Sequence, residues 1–162
     1  MSIQNARRHV RGRSTEDALA CPARVLLAED DRELRSLLAA KLRKEGCVVQ
    51  EAETGLELLE HLGDLNLRDE MFDLIVTDIR MPGLTGLAVI EGLRNGDMPG
   101  SWGIPVIMMT AFGDEDTHLE AKRLGAVIFD KPFDLDDFRS CALNMAGPVS
   151  AAVHAHQHCQ TC

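Results

Sequence analysis

The sequence has no long hydrophobic run. Its longest apolar segments, such as residues 74–76 and 106–109, are only as long as a strand, whereas a helix that crosses a bilayer takes roughly 20 apolar residues. The four arginines at positions 7, 8, 11 and 13 are not followed by the apolar stretch of a secretory signal. We therefore expect a cytoplasmic protein without a membrane segment.

The sequence is also short of paired cysteines and of basic residues. Its five cysteines are unevenly placed, and Cys47 and Cys141 lie in apolar surroundings that favour buried, reduced thiols. Nothing in this pattern requires an oxidising compartment.

The chain has 17 Lys and Arg against 26 Asp and Glu, a net charge of −9. Because an acidic protein repels nucleic-acid backbones, we expect no direct nucleic-acid binding.

Apolar residues are plentiful and spread along the chain. They make up 45% of its 162 residues, enough for one domain with a hydrophobic core. We predict that this domain covers residues 23–147. The Arg-rich leader, residues 1–22, and the tail, residues 148–162, are short of large apolar residues, and we expect both to be disordered.

The tail ends in residue types that bind metals. Three histidines come before two cysteines in CxxC spacing: His154, His156, His158, Cys159 and Cys162. Such residues bind soft or borderline metal ions. A structural zinc site, however, usually needs a second ligand pair held by a small fold, and the tail has little apolar material to build one. A physiological metal site and adventitious binding by a mobile tail both remain open.

Short apolar runs alternate with segments of helical period from Arg24 onward. This alternation is typical of a parallel sheet wrapped by helices. We therefore predict an α/β fold with a doubly wound, five-stranded parallel sheet and five helices. The second run is the more polar, which favours an edge position. The predicted strands are residues 25–28, 47–50, 74–77, 106–109 and 127–129.

Capping residues mark where several helices begin. Asp31 comes before helix one, and Gly46 is placed to end it. Thr54 and Glu57 have the spacing of a capping box at the start of helix two, and Asp134 is a plausible N-cap of helix five. The apolar face predicted for helix one consists of Leu34, Leu37, Leu38 and Leu42. The last three helices are predicted at residues 86–94, within 114–124, and from 134 to 145.

Polar and charged side chains follow four of the predicted strands. The carboxyl ends of parallel strands lie on one edge of the sheet, and ligands bind there. We therefore expect these side chains to converge in one pocket. They are Glu29, Asp30 and Asp31 after strand one, Asp78 after strand three, Thr110 after strand four and Lys131 after strand five.

The acids of this group predict a magnesium site. Carboxylates a few ångströms apart repel one another unless a cation or raised pKa values offset the repulsion. Mg²⁺ prefers oxygen ligands, and the group supplies oxygens with no Cys or His nearby, which argues against zinc. Asp31 fits an N-cap of helix one better than a ligand. The predicted site therefore contains Glu29, Asp30 and Asp78.

Asp78 is the predicted nucleophile because it stands alone at its strand end. An ionised carboxylate beside a metal can attack phosphorus. A phosphoryl group in transfer needs fixed cations and donors around its oxygens, and we assign these roles to Lys131 and Thr110, with the small Ala111 leaving the site open. Alternatively, Asp78 forms only a turn ahead of residues 80–83. The joint occurrence of these groups at the right strand ends favours the site.

Four ordered motifs carry a more specific signal. They are VLLAEDD at residues 25–31, FDLIVTDIRMPGLTG at 72–86, VIMMTA at 106–111 and DKPF at 130–133. Together they resemble the receiver domain of two-component response regulators, over residues 24–145. The resemblance implies the strand order 2-1-3-4-5, phosphorylation of Asp78 and a cis peptide between Lys131 and Pro132. It also implies that the Arg80 backbone carbonyl is a Mg²⁺ ligand beside Glu29, Asp30 and Asp78.

The resemblance implies a phosphoacceptor in phosphorelay signal transduction rather than an enzyme. The phosphoryl group would come from a sensor histidine kinase or a phosphotransfer protein, and Thr110, Ala111 and Lys131 would bind it. The residues left over are too few for a DNA-binding or enzymatic module. We therefore expect a stand-alone receiver whose output is a protein contact or homodimerisation through helix 4, strand 5 and helix 5.

Some positions depart from the family pattern. Receiver domains usually have Tyr or Phe three residues before the lysine, as a switch coupled to the threonine, but here that position is Ile128. The segment 125–131 also looks one residue shorter than usual. Phe129 would replace the aromatic after a register shift, or would point into the core. Arg80 and Phe112 occupy two positions that tune phosphate lifetime in the family, and their bulk predicts slow self-dephosphorylation.

Two other functions are kept as alternatives. A phosphohydrolase of the haloacid dehalogenase type also uses an Asp nucleophile and Mg²⁺. Such enzymes place a second Asp two residues after the nucleophile, where this chain has Arg80, and the chain lacks a cap domain. A pseudo-receiver that only scaffolds partners would account for Ile128 but not for the intact acidic group.

Overall fold

The computed structural model describes residues 22–67, 71–96 and 103–147. Within these ranges, strands and helices alternate in five βα units, as the alternation of apolar runs and helical periods predicts. The strands are β1 (Arg24–Ala28), β2 (Val48–Ala52), β3 (Leu74–Asp78), β4 (Val106–Thr110) and β5 (Val127–Asp130). The helices are α1 (Arg32–Lys44), α2 (Gly55–Leu67), α3 (Gly86–Arg94), α4 (Glu115–Arg123) and α5 (Leu135–Met145).

The five strands form one parallel sheet in the order β2-β1-β3-β4-β5. This confirms the predicted fold and the edge position of β2. The inner strands β3 and β4 are buried at every residue, as expected for strands covered on both faces, whereas β2 is exposed at Val48 and Gln50. Strand order reverses between β1 and β3, which places a ligand-binding crevice at their carboxyl ends.

Each face of the sheet has its own hydrophobic cluster. Successive strand residues point to opposite faces, so Leu26 packs with Ile90 of α3, while its neighbour Leu27 packs with Leu38 of α1 and Phe138 of α5. Helices α2, α3 and α4 cover the first face, and α1 and α5 cover the second. With both faces apolar, the polar side chains of the strands collect at their ends.

The buried face of α1 differs from the predicted one. Leu37 is 48% exposed, and Leu34 is only half-buried. Arg35 points inward instead, because its guanidinium binds the Glu29 carbonyl and the Glu53 carboxylate, and this orientation turns Leu37 towards solvent. The buried residues of α1 are Arg35, Leu38, Ala39 and Leu42.

Strand boundaries differ from the prediction by one or two residues. β2 runs from Val48 to Ala52 rather than from Cys47 to Gln50, because it pairs with all five residues of β1. Three other strands extend one residue beyond their predicted ends and so include a polar residue: Asp78, Thr110 and Asp130. Asp78 and Thr110, which the sequence predicts as site residues, are therefore held by the sheet itself.

The predicted helix caps are confirmed. The carboxylates of Asp31 and Asp134 each accept hydrogen bonds from two backbone N–H groups in the first turn of α1 and α5. The Thr54 hydroxyl accepts from the Glu57 N–H at the start of α2. Gly46, just past the end of α1, has a φ of +89°, which a residue with a side chain rarely adopts.

No helix among the described residues is long and apolar enough to cross a membrane. Both Cys47 and Cys141 are free thiols, as predicted; Cys47 is buried, whereas Cys141 is only half-buried. The leader predicted at residues 1–22 lies outside the described residues except for Pro22, and the tail at 148–162, with its possible metal ligands, lies outside them entirely.

Candidate functional site

Residues from four strand ends meet at the carboxyl edge of the sheet. Glu29 follows β1, Asp78 and Thr110 end β3 and β4, and Lys131 follows β5. Glu29 and Thr110 are fully buried, and Asp78 is 5% exposed. The structure thus brings together side chains that are up to 102 positions apart in the chain, as the strand-end argument predicts.

Three carboxylates form the acidic part of the site. One oxygen from each of Glu29, Asp30 and Asp78 lies within 4.8 Å of the others. Glu29 and Asp78 are buried, whereas Asp30 is exposed, so the group is open to water on one side. An all-oxygen donor set with access for water fits a hard divalent cation such as Mg²⁺. Asp31 stays outside the group and caps α1.

The Lys131 ammonium lies between two of these acids. It donates to Glu29 Oε2 at 2.7 Å and also to Asp78 Oδ2. Burial opposes the charge of this ammonium, but its hydrogen bonds to Asp78 and Glu29 outweigh burial and raise the pKa of Lys131 above its ordinary value. Lys131 therefore stays cationic at neutral pH. The predicted cis peptide between Lys131 and Pro132 is confirmed.

Glu29 has an unusual protonation equilibrium. Burial raises its pKa from 4.5 to about 7; the charge of Asp78 adds to this rise, while the hydrogen bond from Lys131 opposes it. A second hydrogen bond comes from the Asp31 N–H, which donates to Glu29 Oε1 at 3.1 Å. Without a metal ion, the Glu29 carboxylate is therefore only partly ionised near neutral pH.

Backbone groups fix the Asp78 carboxylate. The Arg80 N–H donates to Asp78 Oδ1 at 2.7 Å, so the Arg80 backbone, whose carbonyl is a predicted metal ligand, lies against the acidic group. Gly86 at the start of α3 packs on the Asp78 carbonyl; a Cβ at Gly86 would lie 2.1 Å from this oxygen. Only glycine therefore fits where α3 approaches the end of β3.

Thr110 and Ala111 form the β4 side of the site. The Thr110 hydroxyl accepts from the Phe112 N–H at 3.1 Å, which leaves its own proton available for donation. The Thr110 carbonyl accepts from the Lys131 N–H at 2.7 Å, so the backbones of these two residues are joined directly. Ala111 is exposed, and its methyl group leaves this side of the pocket open.

An aromatic ring and a guanidinium lie together at the rim. The Arg80 guanidinium carbon lies 5.6 Å from the centre of the Phe112 ring, within the range of a cation–π contact. Phe112 is 69% exposed. The pair connects the loops that follow β3 and β4, on either side of the crevice in which Asp78 lies.

Ile128, at the position where receiver domains usually have an aromatic switch residue, and its neighbour Phe129 lie on opposite faces of the sheet. Ile128 is half-buried and packs with the cluster that includes Met108 of β4 and Ala121 of α4. Phe129 points to the opposite face and packs edge-on against Phe133 and Phe138, with ring centres 5.3 and 5.9 Å away. Phe129 is therefore a core residue and does not replace the aromatic residue expected at Ile128.

Sequence reasoning missed two contacts. One is the buried Arg35, for which the available signal was a charged residue between apolar positions of α1. The other joins His118 of α4 to Asp130 of β5, with Nε2 and Oδ1 2.9 Å apart. Gly113 packs against this pair, since a Cβ at Gly113 would lie 2.0 Å from Asp130 Oδ1 and 2.5 Å from His118 Nε2. No short motif marks this pair in the sequence.

Comparisons with known proteins agree with this geometry. A family model described as the response regulator receiver domain matches residues 25–142. Sporulation initiation phosphotransferase F of Bacillus subtilis (strain 168) is 34% identical over 117 residues, which are 72% of this chain and 87% of that protein. The solved chemotaxis response regulator CheY4 of Vibrio cholerae is 25% identical, with a TM-score of 0.65 over 77% of this chain and 99% of CheY4.

Another relative is much longer than the matched region. Regulatory protein AtoC of Escherichia coli (strain K12) is 31% identical over 144 residues, which are 85% of this chain but 29% of AtoC. The shared part is thus the domain that carries the acidic site.

The doubly wound sheet, with three acids and a lysine at its carboxyl edge, places this chain among the α/β domains of order 2-1-3-4-5, in which ligands bind at this edge. Within that class, the family match covers most of the described residues. The chain therefore belongs to the family of response regulator receiver domains of two-component systems.

Proposed function

We propose that this receiver domain accepts a phosphoryl group on Asp78 in a Mg²⁺-dependent reaction and passes the signal on through protein contacts. The observation that carries the proposal is the buried Asp78 carboxylate, held by the Lys131 ammonium and the Arg80 N–H and grouped with Glu29 and Asp30. The proposed nucleophile, its cationic partner and the proposed oxygen ligands therefore lie close together before any donor binds.

In the proposed reaction an Asp78 oxygen attacks phosphorus. The new oxygen–phosphorus bond forms while the bond from phosphorus to the donor breaks, and its electron pair leaves with the donor atom. Glu29, Asp30, Asp78 and the Arg80 carbonyl would hold Mg²⁺, whose charge would stabilise the phosphoryl oxygens. Lys131 would exchange its bond to Asp78 for one to a phosphoryl oxygen.

The β4 side of the site would bind the remaining oxygens. The buried Thr110 hydroxyl has a proton to donate, and the exposed Ala111 leaves room beside it. The Lys131 N–H donates to the Thr110 carbonyl. A shift of either residue towards the phosphoryl group would therefore also displace the backbone of the other. These two residues would thus connect the chemistry to the loops after β4 and β5.

A groove beside Lys131 supports a protein phosphodonor. It has a volume of about 450 Å³ and is lined by Lys131 and five apolar residues: Leu34, Leu37, Pro132, Phe133 and Leu135. Leu37, the exposed leucine of α1, is one of the residues that line this groove. We propose that a sensor histidine kinase or a phosphotransfer protein, in the cytoplasm, packs here while its phosphohistidine reaches Asp78.

The signal would leave through α4, β5 and α5. Leu119 of α4 is 58% exposed and Val127 of β5 is 39% exposed, which makes this face suitable for an apolar contact with a target protein or a second copy of the chain. We propose no turnover of a small substrate: Arg80 stands where a phosphohydrolase of the haloacid dehalogenase type has its second Asp. The proposed receiver domain spans residues 23–147.

Phosphorylation can be tested with acetyl phosphate. Incubating the full chain with acetyl phosphate and Mg²⁺ should add one phosphoryl mass, and Asp78→Asn should abolish this addition. Asp31→Asn is the matched control, because Asp31 lies at the same edge of the sheet but caps α1, a role that Asn also fills; it should be phosphorylated like the wild type. A wild type that gains no mass and binds no fluoroberyllate would overturn the proposal.

A further inference from the structure

Arg35 is a buried cation on α1. Among the described residues, five buried side chains are polar or charged: Glu29, Arg35, Thr77, Asp78 and Thr110. Four of these come from the strands or their ends, whereas Arg35 comes from a helix. Its side chain is 6% exposed. Burying a guanidinium is unfavourable unless it is paired and hydrogen-bonded, so its partners decide what it does.

The partners of Arg35 lie at two neighbouring strand ends. Its Nη1 donates to the backbone carbonyl of Glu29 at 2.7 Å, and its Nη2 donates to Glu53 Oε1 at 2.7 Å. Its Nε lies 3.4 Å from a Glu51 carboxylate oxygen. The guanidinium therefore joins the residue that follows β1 to the residue that follows β2, a bridge that its fork of donors is suited to make.

With this bridge, both backbone polar groups of Glu29 are hydrogen-bonded. The Glu29 N–H donates to the Ala52 carbonyl of β2 at 3.1 Å, and the Glu29 carbonyl accepts from Arg35. Both polar groups of this peptide backbone are thus held at the point where the chain leaves the sheet. From there the Glu29 side chain extends to Lys131, and its oxygen lies within 4.8 Å of those of Asp30 and Asp78.

We propose that Arg35 is a positioning residue for the magnesium site, which holds the backbone of Glu29 and Asp30 so that their carboxylates face Asp78. This inference rests on the proposed function, because it assigns Arg35 to the same cation. Arg35 acts through the Glu29 carbonyl and through no ligand oxygen. Residues that hydrogen-bond directly to metal-ligand side chains typically contribute about 10–100-fold to metal affinity, and we expect a residue that acts through a ligand's backbone to lie at the lower end of this range.

Arg43 offers a matched control on the same helix. It donates to Glu51 Oε1 at 2.8 Å and to the Val49 carbonyl at 2.9 Å, so it also ties α1 to β2 and shares Glu51 with Arg35. Its bonds in the described part of the chain go to β2 and do not reach Glu29. A general effect of loosening α1 from β2 would therefore appear in both variants.

The test is a titration of the full chain with MgCl2 in which the NMR signals of the Asp30 and Arg80 amides are monitored. We expect Arg35→Gln to raise the Mg²⁺ dissociation constant by about 10-fold or more. Arg35→Lys should recover part of the affinity, because an ammonium reaches one of the two partners but not both. Arg43→Gln should stay within about 2-fold of the wild type. Equal affinity in Arg35→Gln and wild type, or an equal loss in Arg43→Gln, would overturn the inference.

Two further readouts keep the outcomes separate. Unfolding of the metal-free variants by denaturant reports any loss of stability apart from the change in affinity. If Arg35→Gln does not fold, Arg35→Met decides, because Met keeps the apolar stem but donates no hydrogen bond to the Glu29 carbonyl; a wild-type Mg²⁺ affinity in Arg35→Met contradicts the positioning role. A wild type that binds Mg²⁺ but gains no phosphoryl mass from acetyl phosphate and binds no fluoroberyllate would refute the proposed function alone, whereas a wild type that binds no Mg²⁺ would overturn both.

Discussion

At the scale of single residues, the resting site is already ordered around Asp78. One carboxylate oxygen is bound by the Lys131 ammonium and the other by the Arg80 N–H. Because both oxygens have partners, the carboxylate has a fixed orientation before any donor arrives. Preorganised charges and donors of this kind reduce the rearrangement that a transfer reaction requires.

The contact between Arg80 and Phe112 leads to a prediction on phosphate lifetime. The ring and the guanidinium lie 5.6 Å apart at the rim of the site, where they would hinder a water molecule that attacks the phosphoryl group. We expect Phe112→Ala to accelerate loss of the phosphoryl group by about 2–5-fold, because easier access for water that lowers the barrier by about 0.5–1 kcal/mol raises the rate by this factor. The decay can be followed by intact mass in purified protein with Mg²⁺.

Leu119→Ala serves as the control for Phe112→Ala. Leu119 is similarly exposed, at 58% against 69%, but lies on α4 and takes no part in the Arg80 contact. It should leave the decay unchanged. A decay in Phe112→Ala that is as slow as in the wild type would show that the ring does not shield the site.

At the scale of elements, α4 is joined to the end of β5 by a polar contact. His118 Nε2 and Asp130 Oδ1 lie 2.9 Å apart, and Gly113 of the loop after β4 packs against both groups. Asp130 also pairs in register with Thr110 and directly precedes Lys131. The contact thus connects the two residues proposed to bind the phosphoryl group with the helix proposed to signal.

This arrangement predicts that His118 transmits the phosphorylated state to α4, since Ile128 has no ring to do so. In His118→Ala, fluoroberyllate should still perturb the NMR signals around Asp78, because the site is unchanged. The perturbation of α4 should be much smaller than in the wild type. Phosphorylation by acetyl phosphate should proceed normally.

His61→Ala is the corresponding control. His61 makes a similar exposed contact, 3.3 Å from the Gln50 side chain, but it joins α2 to β2 at the opposite edge of the sheet. It should leave the response of α4 intact. Full perturbation of α4 in His118→Ala would refute the proposed coupling.

The elements also show which features a sequence can predict. The sequence predicts Glu29, Asp78 and Lys131 because each follows a clear apolar run, and parallel strands align such ends. The predicted phase of α1 is wrong, because Arg35 gains its inward position from Glu29 and Glu53, which lie on other elements. The sequence does not decide the direction of Phe129, because a four-residue edge strand with no fully buried residue has no clear alternation.

At the scale of the whole molecule, the acidic site lowers stability when no metal is bound. Burial raises the pKa of Glu29 to about 7, from 4.5. The stability contributed by neutral Glu29 is fully present below pH 4.5 and is lost as the pH rises through about 7. Metal-free protein should therefore lose about 2 kcal/mol of unfolding free energy between pH 5 and 8, and Glu29→Gln should remove this dependence.

Denaturant unfolding at several pH values, with and without MgCl2, measures this effect. Mg²⁺ should stabilise the wild type at pH 8, because it binds the folded state, and should stabilise Glu29→Gln much less. Glu45→Gln is a suitable control, since Glu45 is a partly exposed acid that pairs with Arg139 on α5. The same pH profile in wild type and Glu29→Gln would contradict the prediction.

The span of the Lys131 contacts has a consequence for how variants of this domain can be screened. Lys131 meets Asp78 across 53 positions and Glu29 across 102, and both contacts require β1, β3, β4 and β5 to be paired. A chain with any of these strands missing or out of register has no acceptor pocket. If Asp78 is phosphorylated as proposed, the fraction of molecules that take up a phosphoryl group would therefore report the fraction in which these four strands are correctly paired, and phosphorylation would serve as an assay of folding.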